Sequence, residues 1–437
     1  MTNTQTHRPA PVRRAVVIGA GSMGSGIAAQ FANGGVPVTL LDVAGPPDDR
    51  AAPARAGVAR QINAQGFADD RAPALVSVGC IDDDLGTVAE ADWVVEAIIE
   101  DPAIKRALFA RIDAVRRPGT AVSSNTSTIP LARLTAGMPD AFRRDFVITH
   151  FFNPPRHMRL VELVTGPDTT ADTADRVRAA CREALDKVVV ACRDTPAFIA
   201  NRLGCFWMSV AAIEAQRHGL TVEQADAVAG PPFGVPRTGI FGLLDLVGID
   251  LVPLVWGSLL GALPAGDAHH RYDLTADPVI RRLIAEGRIG RKAKGGFYRK
   301  APGTDAREAL DLTRFTYRPQ EEEAPAPDLA TLIGRDDAAG RYAWAVLSAV
   351  LTYAAAVAAD IADDVDAIDT AMRLGYGWAE GPFALADRVG TAAIAGRLRA
   401  EGRPVPPLLD TAAGAGGFYR DGMMLATAGT WIEGNAR

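Results

Sequence analysis

Two side chains in the middle of the sequence have the types and the spacing of an acid–base pair. His150 ends the apolar run 146–150, which predicts a strand, and Glu162 follows within one further short element. A carboxylate that holds an imidazole ring stabilises its charged form, so this histidine could act as a general base near neutral pH. Oxidation of a secondary alcohol needs such a base for the hydroxyl proton. A structural histidine that closes a strand end fits the same spacing, and both interpretations stay open.

A glycine-rich turn near the N-terminus predicts a dinucleotide site. The apolar run 16–18 leads into a turn with three glycines, and an acid closes a second apolar run eighteen residues after the last of them. Glycines in this order admit a pyrophosphate at a helix N-terminus, and the acid accepts the ribose hydroxyls, which favours NAD over NADP. The alternative is a tight turn in another α/β sheet. The predicted cofactor-binding residues here are Gly19, Gly21, Ser22, Met23, Gly24 and Asp42.

The pattern of apolar runs predicts the scaffold that positions these residues. Strands alternate with helical segments, and Asp101 before Pro102 predicts the start of one helix, with aspartate as N-cap and proline in the first turn. This alternation predicts an α/β, Rossmann-like, doubly wound sheet that binds ligands at the carboxyl ends of its strands. Besides the two runs beside the glycine turn, the predicted strands are residues 93–99, 120–123, 146–150 and 187–191.

The second half of the sequence contains a repeat. After residues 194–196, which predict an N-cap and a first-turn proline, long helical segments follow, and three motifs occur twice in the same order. This order predicts two related all-α domains. The repeated pairs are 222–226 and 365–369, 241–248 and 383–390, and 295–298 and 416–419. The predicted domains are a disordered tail (1–12), the NAD-binding domain (13–194), a helical domain (195–300), a solvated linker (301–330) and a second, degenerate helical copy (331–437).

Composition excludes several classes of function. The formal net charge of −6 argues against binding of nucleic acid. Four cysteines without disulfide-like spacing suit a reducing, cytoplasmic compartment. The apolar stretch 342–361 is broken by polar residues and predicts a buried helix rather than a membrane span. His269 and His270 lack further ligands at useful spacing, so we predict a solvated loop and no metal site.

Several motifs together resemble the L-3-hydroxyacyl-CoA dehydrogenases of fatty-acid β-oxidation, over nearly the whole chain. The resemblance implies NAD-dependent oxidation of (3S)-3-hydroxyacyl-CoA to 3-oxoacyl-CoA, with an acyl-CoA thioester as the substrate. Besides the glycine turn, the matching motifs are residues 96–100, 124–127, 150–154, 194–202 and 290–298.

The resemblance also implies a role for particular residues. His150 is the base and Glu162 its orienting partner, while Ser127 and Asn201 hold the substrate oxygens. Because Asn201 lies near the start of the helical domain, this site is expected in a cleft between domains that excludes water. The positions that match the NAD site of the family are Glu100, Lys105, Ser127, Asn153 and Lys292.

The second helical copy departs from the pattern of the first. It has Gly340 before Arg341 where the first copy has Asn201 before Arg202, and no basic residue precedes its Gly-Gly-Phe-Tyr motif. We therefore expect a structural copy or a dimer surface rather than a second site. Members with two copies often continue into an enoyl-CoA hydratase domain, and this chain stops at Arg437 without one. A stand-alone dehydrogenase, one half of a split pair and a fragment all stay open, as do a homodimer and association with a hydratase.

Two other functions compete with the dehydrogenase. A related two-domain dehydrogenase would act on a small hydroxy acid without CoA, but such families use a lysine as the key acid or base. A non-catalytic or partner-dependent subunit of a dehydrogenase–hydratase complex would not need the set of Ser127, His150, Glu162 and Asn201 that the sequence retains.

Overall fold

The computed structural model describes residues 9–293 and 295–434. It divides into two units, Met1–Phe198 and Ile199–Arg437. Most of the predicted N-terminal tail lies outside the described residues, and residues 9–12 have no regular secondary structure.

The first unit is built on one eight-stranded sheet. Its strands are β1 (Ala15–Ile18), β2 (Val38–Asp42), β3 (Val76–Cys80), β4 (Trp93–Glu96), β5 (Ala121–Ser124), β6 (Phe146–Phe151), β7 (Leu160–Thr165) and β8 (Val188–Cys192). Its helices are α1 (Ser22–Asn33), α2 (Ala52–Asn63), α3 (Ile81–Asp84), α4 (Pro102–Asp113), α5 (Leu131–Leu134), α6 (Asp140–Arg144) and α7 (Ala171–Glu183).

The strand order is β3-β2-β1-β4-β5-β6-β7-β8, and the first six strands are parallel. β1 and β4 are buried along their whole length, as expected for strands covered on both faces. β7 pairs antiparallel with β6, and β8 runs parallel to β7. The predicted Rossmann-like, doubly wound fold is confirmed, with a reversed pair of strands at one edge.

The aspartate and proline at residues 101–102 predicted the start of α4 correctly. The similar signal at residues 194–196 did not predict the start of the helix after β8. Asp101 caps α4 as predicted, because its carboxylate accepts from the amides of Ala103 and Ile104. The same prediction for Asp194 is wrong. Its carboxylate accepts from the Leu131 amide at 2.6 Å, so it stabilises the start of α5 instead.

The second unit is mostly helical. Its helices are α8 (Ala200–Arg217), α9 (Val222–Val228), α10 (Phe241–Val247), α11 (Val252–Ala262), α12 (Pro278–Ala285), α13 (Leu329–Ile333), α14 (Ala338–Ile361), α15 (Val365–Tyr376), α16 (Pro382–Val389), α17 (Thr391–Ala400) and α18 (Pro407–Ala415). Its strands are β9 (Tyr298–Lys300), β10 (Arg307–Leu310), β11 (Tyr317–Pro319), β12 (Tyr419–Arg420), β13 (Met423–Leu425) and β14 (Trp431–Glu433).

We call residues 199–300 the first helical group and residues 329–434 the second helical group. The repeated motifs make the same contacts in both. Asp226 accepts from the first amides of α10 and from the Tyr298 hydroxyl at 2.8 Å. Asp369 accepts from the first amides of α16 and from the Tyr419 hydroxyl at 2.8 Å. Each aspartate thereby joins two elements of its own group.

We call Asp226 and Asp369 the clamp aspartates, and both side chains are buried. Burial raises the pKa of Asp226 to about 7 and that of Asp369 to about 7, although the donated hydrogen bonds oppose the shift. A second pair extends the likeness. Asp245 accepts from both amides of the Phe-Tyr step after the glycines, and Asp387 does the same in the second helical group.

The predicted solvated linker is wrong over residues 307–319. β10 pairs with β9 and with β11 to form a three-stranded antiparallel sheet. Leu310 is fully buried, and Arg318 makes two hydrogen bonds to Glu223. The acidic and proline-rich residues 320–328 that follow have no regular secondary structure.

The long apolar helix α14 is a core helix of the second unit. By length and composition alone, it is the one helix of the described residues that could cross a membrane, with the bent pair 241–247 and 249–262 as a further candidate. In the most apolar window of α14, 67% of the residues are buried inside the protein. This burial agrees with the predicted buried helix.

Candidate active site

The predicted base and its partner lie opposite each other on neighbouring strands. In the antiparallel register of β6 and β7, His150 pairs directly with Glu162. The His150 Nδ1 atom lies 2.7 Å from Glu162 Oε2, and the two side chains are 7% and 0% exposed. The rings of Phe152 and Phe198 pack against the imidazole at centroid distances of 4.5 Å and 5.8 Å. The Glu162 carboxyl group therefore holds one ring nitrogen of His150, while two aromatic rings pack against the imidazole.

The turn that joins β6 to β7 sets this register. It spans residues 152–159 and begins beside the exposed side chain of Asn153. Buried Lys187 donates from Nζ to the carbonyl oxygens of Pro155 and Met158, the latter at 3.0 Å. Burial lowers the pKa of Lys187 to about 8. This lysine fixes the turn that carries Asn153, one of the predicted NAD-site residues.

The glycine turn between β1 and α1 has the shape that a dinucleotide needs. Gly19 has a φ of +104°, and a Cβ atom there would lie 2.5 Å from the Ala97 carbonyl oxygen. A Cβ atom on Gly24 would lie 1.7 Å from the Gly19 oxygen, whereas one on Gly21 would meet nothing within 4 Å. Gly19 and Gly24 thus permit close packing of the turn, whereas Gly21 leaves the outer side of the turn open.

The other predicted residues of this region lie at the start of α1 and at the end of β2. Ser22 and Met23 form the first turn of α1, where backbone amides point outwards. Asp42 ends β2, and its carboxylate accepts from the Ala20 amide and the Val43 amide, both at 2.6 Å. Helix amides beside a fixed acid suit a pyrophosphate and an adenosine ribose, so these residues fit NAD.

Ser127 belongs to a hydrogen-bonded network at the carboxyl end of β5. Its amide donates to Glu100 Oε1 at 3.0 Å, and the Thr126 hydroxyl donates to the same oxygen at 2.5 Å. Lys105 lies 3.2 Å from the other Glu100 oxygen and 2.6 Å from Glu96. Because the Lys105 side chain is 1% exposed, it reaches the site through these two glutamates.

The pKa values of the two glutamates in this network are shifted in opposite directions. Burial alone would raise the pKa of Glu100, but the Lys105 charge and the hydrogen bonds from Thr126 and Ser127 outweigh it and lower that pKa. For fully buried Glu96, burial outweighs the Lys105 charge and raises the pKa. The lowered pKa favours the ionised form of Glu100 beside Ser127.

The sequence interpretation gave no role to Glu96, Thr126 or Asn125. Glu96 also accepts from the Ser124 hydroxyl at 2.5 Å. The Asn125 side-chain oxygen accepts from the Phe151 amide at 2.9 Å and so ties the loop after β5 to the end of β6. A charged residue inside the apolar run 93–99 was the signal that could have identified Glu96.

Two predicted residues, Asn201 and Lys292, belong to the second unit. Asn201 lies in the first turn of α8, and its side-chain oxygen accepts from the Tyr376 hydroxyl at 3.3 Å. Lys292 forms an ion pair with Asp250 at 2.6 Å. The roles of both residues remain predictions.

The predicted solvated loop at His269 is wrong. His269 is buried against the rings of Phe206 and Tyr353, and its Nε2 lies 2.9 Å from the Arg202 carbonyl oxygen. Burial lowers the pKa of His269 to about 4, so the ring is neutral. Within residues 9–293 and 295–434, no cluster of three or more His, Cys, Asp or Glu side chains could hold a metal ion.

Two family models match adjacent parts of this chain. Residues 14–195 match the family model described as "3-hydroxyacyl-CoA dehydrogenase, NAD binding domain", and residues 198–300 match "3-hydroxyacyl-CoA dehydrogenase, C-terminal domain". The mitochondrial hydroxyacyl-coenzyme A dehydrogenase of Sus scrofa is 32% identical over 303 residues, which cover 66% of this chain and 91% of that protein.

Longer relatives and solved structures extend the likeness. A Rickettsia felis protein that carries the name of a fatty acid oxidation complex trifunctional enzyme is 36% identical over 381 residues, 86% of this chain and 53% of that protein. The chain thus spans about half the length of the first curated relatives that it matches. In fold it is similar to the 3-hydroxybutyryl-CoA dehydrogenase of Escherichia coli, with a TM-score of 0.69 and 23% identity over 93% of this chain and 99% of that one.

Proposed function

Because the chain belongs to the 3-hydroxyacyl-CoA dehydrogenase family, we propose that it oxidises (3S)-3-hydroxyacyl-CoA to 3-oxoacyl-CoA with NAD, as a step of fatty-acid β-oxidation. The observation that carries the proposal is the buried His150–Glu162 pair, joined at 2.7 Å across two strands. A base held in this way is what removal of a hydroxyl proton requires.

His150 takes the proton of the substrate hydroxyl at Nε2. Its other nitrogen, Nδ1, donates to Glu162, so in the neutral ring Nε2 carries the lone pair. As the proton moves, the Glu162 carboxylate stabilises the charged imidazole that forms. NAD, when bound, accepts the hydride from the carbon that bears the hydroxyl. In reduction of the 3-oxo compound, the charged His150 returns the proton to the oxygen.

Ser127 and Asn201 hold the substrate oxygens. Glu100 supports Ser127 by accepting its backbone amide, and Lys105 keeps Glu100 in place through an ion pair. Because Glu100 is itself bonded to buried Thr126 and buried Lys105, the Ser127 backbone is fixed before substrate arrives. Asn201 contributes its side-chain amide.

The cofactor is held by residues at the carboxyl ends of the first unit's parallel strands. The turn of Gly19, Gly21 and Gly24 receives the pyrophosphate, and Asp42 accepts the ribose hydroxyls and disfavours a 2′-phosphate. Ser22 and Met23 supply amides of the helix start. The remaining proposed contacts come from Glu100, Ser127, Asn153 and, in the second unit, Lys292, while buried Lys105 acts through Glu100.

The second helical group, and the predicted domain 331–437 with it, is proposed as a structural copy of the first. The shared aspartate clamps support this interpretation. We further propose association with an enoyl-CoA hydratase, since the relatives named for a trifunctional fatty acid oxidation complex extend well beyond the part that this chain matches. A cytoplasmic location is proposed because the four cysteines are buried and lack disulfide-like spacing.

The proposal is tested by oxidation of NADH, followed by absorbance, with acetoacetyl-CoA as substrate. Parallel reactions contain NADPH in place of NADH, or free acetoacetate in place of the thioester. We expect turnover only with NADH and the thioester together. Equal rates with free acetoacetate would indicate a hydroxy-acid dehydrogenase, and binding of NADH without turnover would indicate a partner-dependent subunit.

Substitution of the pair tests the roles within it. We expect His150→Gln to lower kcat about 100- to 10,000-fold, because it removes the general base, and Glu162→Gln to lower kcat by a smaller factor. NADH binding, measured by fluorescence, should survive in both variants. His218→Gln is the matched control, since His218 is paired with Glu214 in the second unit. Full activity of His150→Gln would contradict the assigned roles.

A further inference from the structure

The second helical group contacts the first beside its predicted substrate-binding amide. Tyr376, the last residue of α15, donates its hydroxyl hydrogen to Asn201 Oδ1 at 3.3 Å. We propose that Tyr376 is a positioning residue, which fixes the orientation of the Asn201 amide for substrate. The inference rests on the proposed function. It gives the second helical group a part in the reaction, although that group has no amide of its own at the matching position.

A glycine in α8 makes room for the Tyr376 ring. Gly204 lies one turn after Asn201, and a Cβ atom there would be 2.0 Å from Cζ of Tyr376. The ring also stands edge-on to Trp207, at a centroid distance of 6.4 Å. A glycine inside a helix is unfavourable, so this position is explained by the close approach of the ring. The Tyr376 side chain is therefore seated in a slot of α8.

The backbone at the start of α8 is held independently. Arg202 donates from Nε to the Tyr353 hydroxyl oxygen at 2.9 Å and from Nη2 to Asp267 at 2.9 Å. The Tyr353 hydroxyl in turn donates to Asp267 at 3.1 Å. The Arg202 and Asp267 side chains are 7% and 6% exposed. Because the helix start is fixed by these contacts, the Tyr376 hydroxyl controls only the rotation of the Asn201 side-chain amide.

The direction of the hydrogen bond decides what Asn201 offers to substrate. An asparagine side chain presents an acceptor on one side and two N–H donors on the other. When Tyr376 donates to Oδ1, the Nδ2 group keeps both of its donors. A 3-oxo group and a thioester carbonyl can only accept hydrogen bonds, so they require this orientation. If the amide were reversed, Asn201 Oδ1 would face a carbonyl oxygen of the substrate, and two acceptors would oppose each other.

A double-mutant cycle on the full chain tests the inference. We expect Tyr376→Phe to lower kcat/KM for acetoacetyl-CoA about fivefold to tenfold, the value of one neutral hydrogen bond, while KM for NADH is unchanged. In an Asn201→Ala background, the same substitution should change kcat/KM less than about twofold, because the amide on which it acts is absent. A merely structural role would lower activity by the same factor in both backgrounds.

Two further variants keep the test decisive. Gly204→Ala displaces the ring but keeps the hydroxyl group, so it should repeat the Tyr376→Phe loss and be silent in Asn201→Ala. Tyr419→Phe is the matched control, because it removes a tyrosine hydrogen bond to Asp369 within the second helical group. It should lower thermal stability and leave kcat/KM within about twofold of wild type.

The outcomes separate this inference from the function on which it rests. An inactive wild-type chain overturns the proposed function and the inference with it. An active wild type in which Asn201→Ala lowers activity, but Tyr376→Phe has no effect or the same effect in both backgrounds, overturns the inference alone.

Discussion

The first and second helical groups are stabilised by the same contacts and differ where chemistry is predicted. Asp226 and Asp369 clamp equivalent elements, each with a tyrosine hydroxyl at 2.8 Å. By contrast, Asn201 in α8 has Gly340 as its predicted counterpart in α14. A Cβ atom on Gly340 would lie 2.4 Å from the Arg335 carbonyl oxygen, so the local packing requires glycine there. The fold of such a group therefore needs its clamps but not its catalytic amide.

A second difference concerns the basic turn before each Gly-Gly-Phe-Tyr motif. In the first helical group, Lys292 pairs with Asp250 at 2.6 Å. Aligned on the repeated motifs, the second helical group has Ala413 and Ala392 at these positions. Both members of the ion pair are thus absent together. The buried aspartates are thus common to both groups, whereas this half-exposed ion pair belongs to the first group alone.

The largest expected effect tests what the two groups share. Between about pH 4 and about pH 7, Asp226 and Asp369 should each contribute a fall in the free energy of unfolding as the pH rises. Each has a pKa of about 7 in the folded chain, against about 4 in an unfolded one. In this window each aspartate binds more protons in the folded state than in the unfolded state, so its contribution to the free energy of unfolding falls by up to roughly 4 kcal/mol. Denaturant titrations across this pH range measure it.

Single substitutions divide this pH dependence between the two groups. Relative to the wild type, Asp226→Asn and Asp369→Asn should each remove a similar contribution to the pH dependence, and the double variant should remove the sum of the two. If one substitution reduces the pH dependence of the free energy of unfolding and the other does not, the two clamp aspartates are not equivalent.

The next largest effect concerns the arginine that begins each repeat helix. Arg202 is buried with Asp267, whereas the Arg341 side chain is 51% exposed beside Asp336. Arg202→Ala should destabilise the chain by about 3–5 kcal/mol, because it leaves a buried carboxylate unpaired. Arg341→Ala should change stability by less than about 1 kcal/mol. Similar losses, measured by denaturant unfolding, would show that the two helix starts are held alike.

Features that depend on neighbouring residues could be predicted from the sequence. The glycine turn before α1 and the Asp101 cap of α4 are set by the order of residues within a few positions. The repeated motifs were visible because each clamp needs the same residue types at the same spacing. These predictions covered the fold class and the cofactor turn.

Features that depend on distant partners could not be predicted. Asp194 has the local form of an N-cap, but α5, more than sixty residues earlier, uses its carboxylate. The pairing of His150 with Glu162 was anticipated, whereas the antiparallel strand β7 that creates it was not, because its register is set by a turn anchored to Lys187. The contact of Tyr376 with Asn201 joins residues 175 positions apart, and no pattern in either motif indicates it.

The smallest expected effect sharpens the difference at the basic turn. Lys292→Ala should change stability by less than about 1 kcal/mol, because its ion pair with Asp250 is half-exposed. If Lys292 contacts NAD as predicted, the substitution should raise KM for NADH severalfold with little change in kcat, since it removes binding that ground and transition states share. Ala413→Lys adds the same side chain to the second helical group and should leave KM unchanged. An unaltered KM in Lys292→Ala would remove Lys292 from the cofactor site, and the ion pair would then be a structural feature of the first helical group that the second folds without.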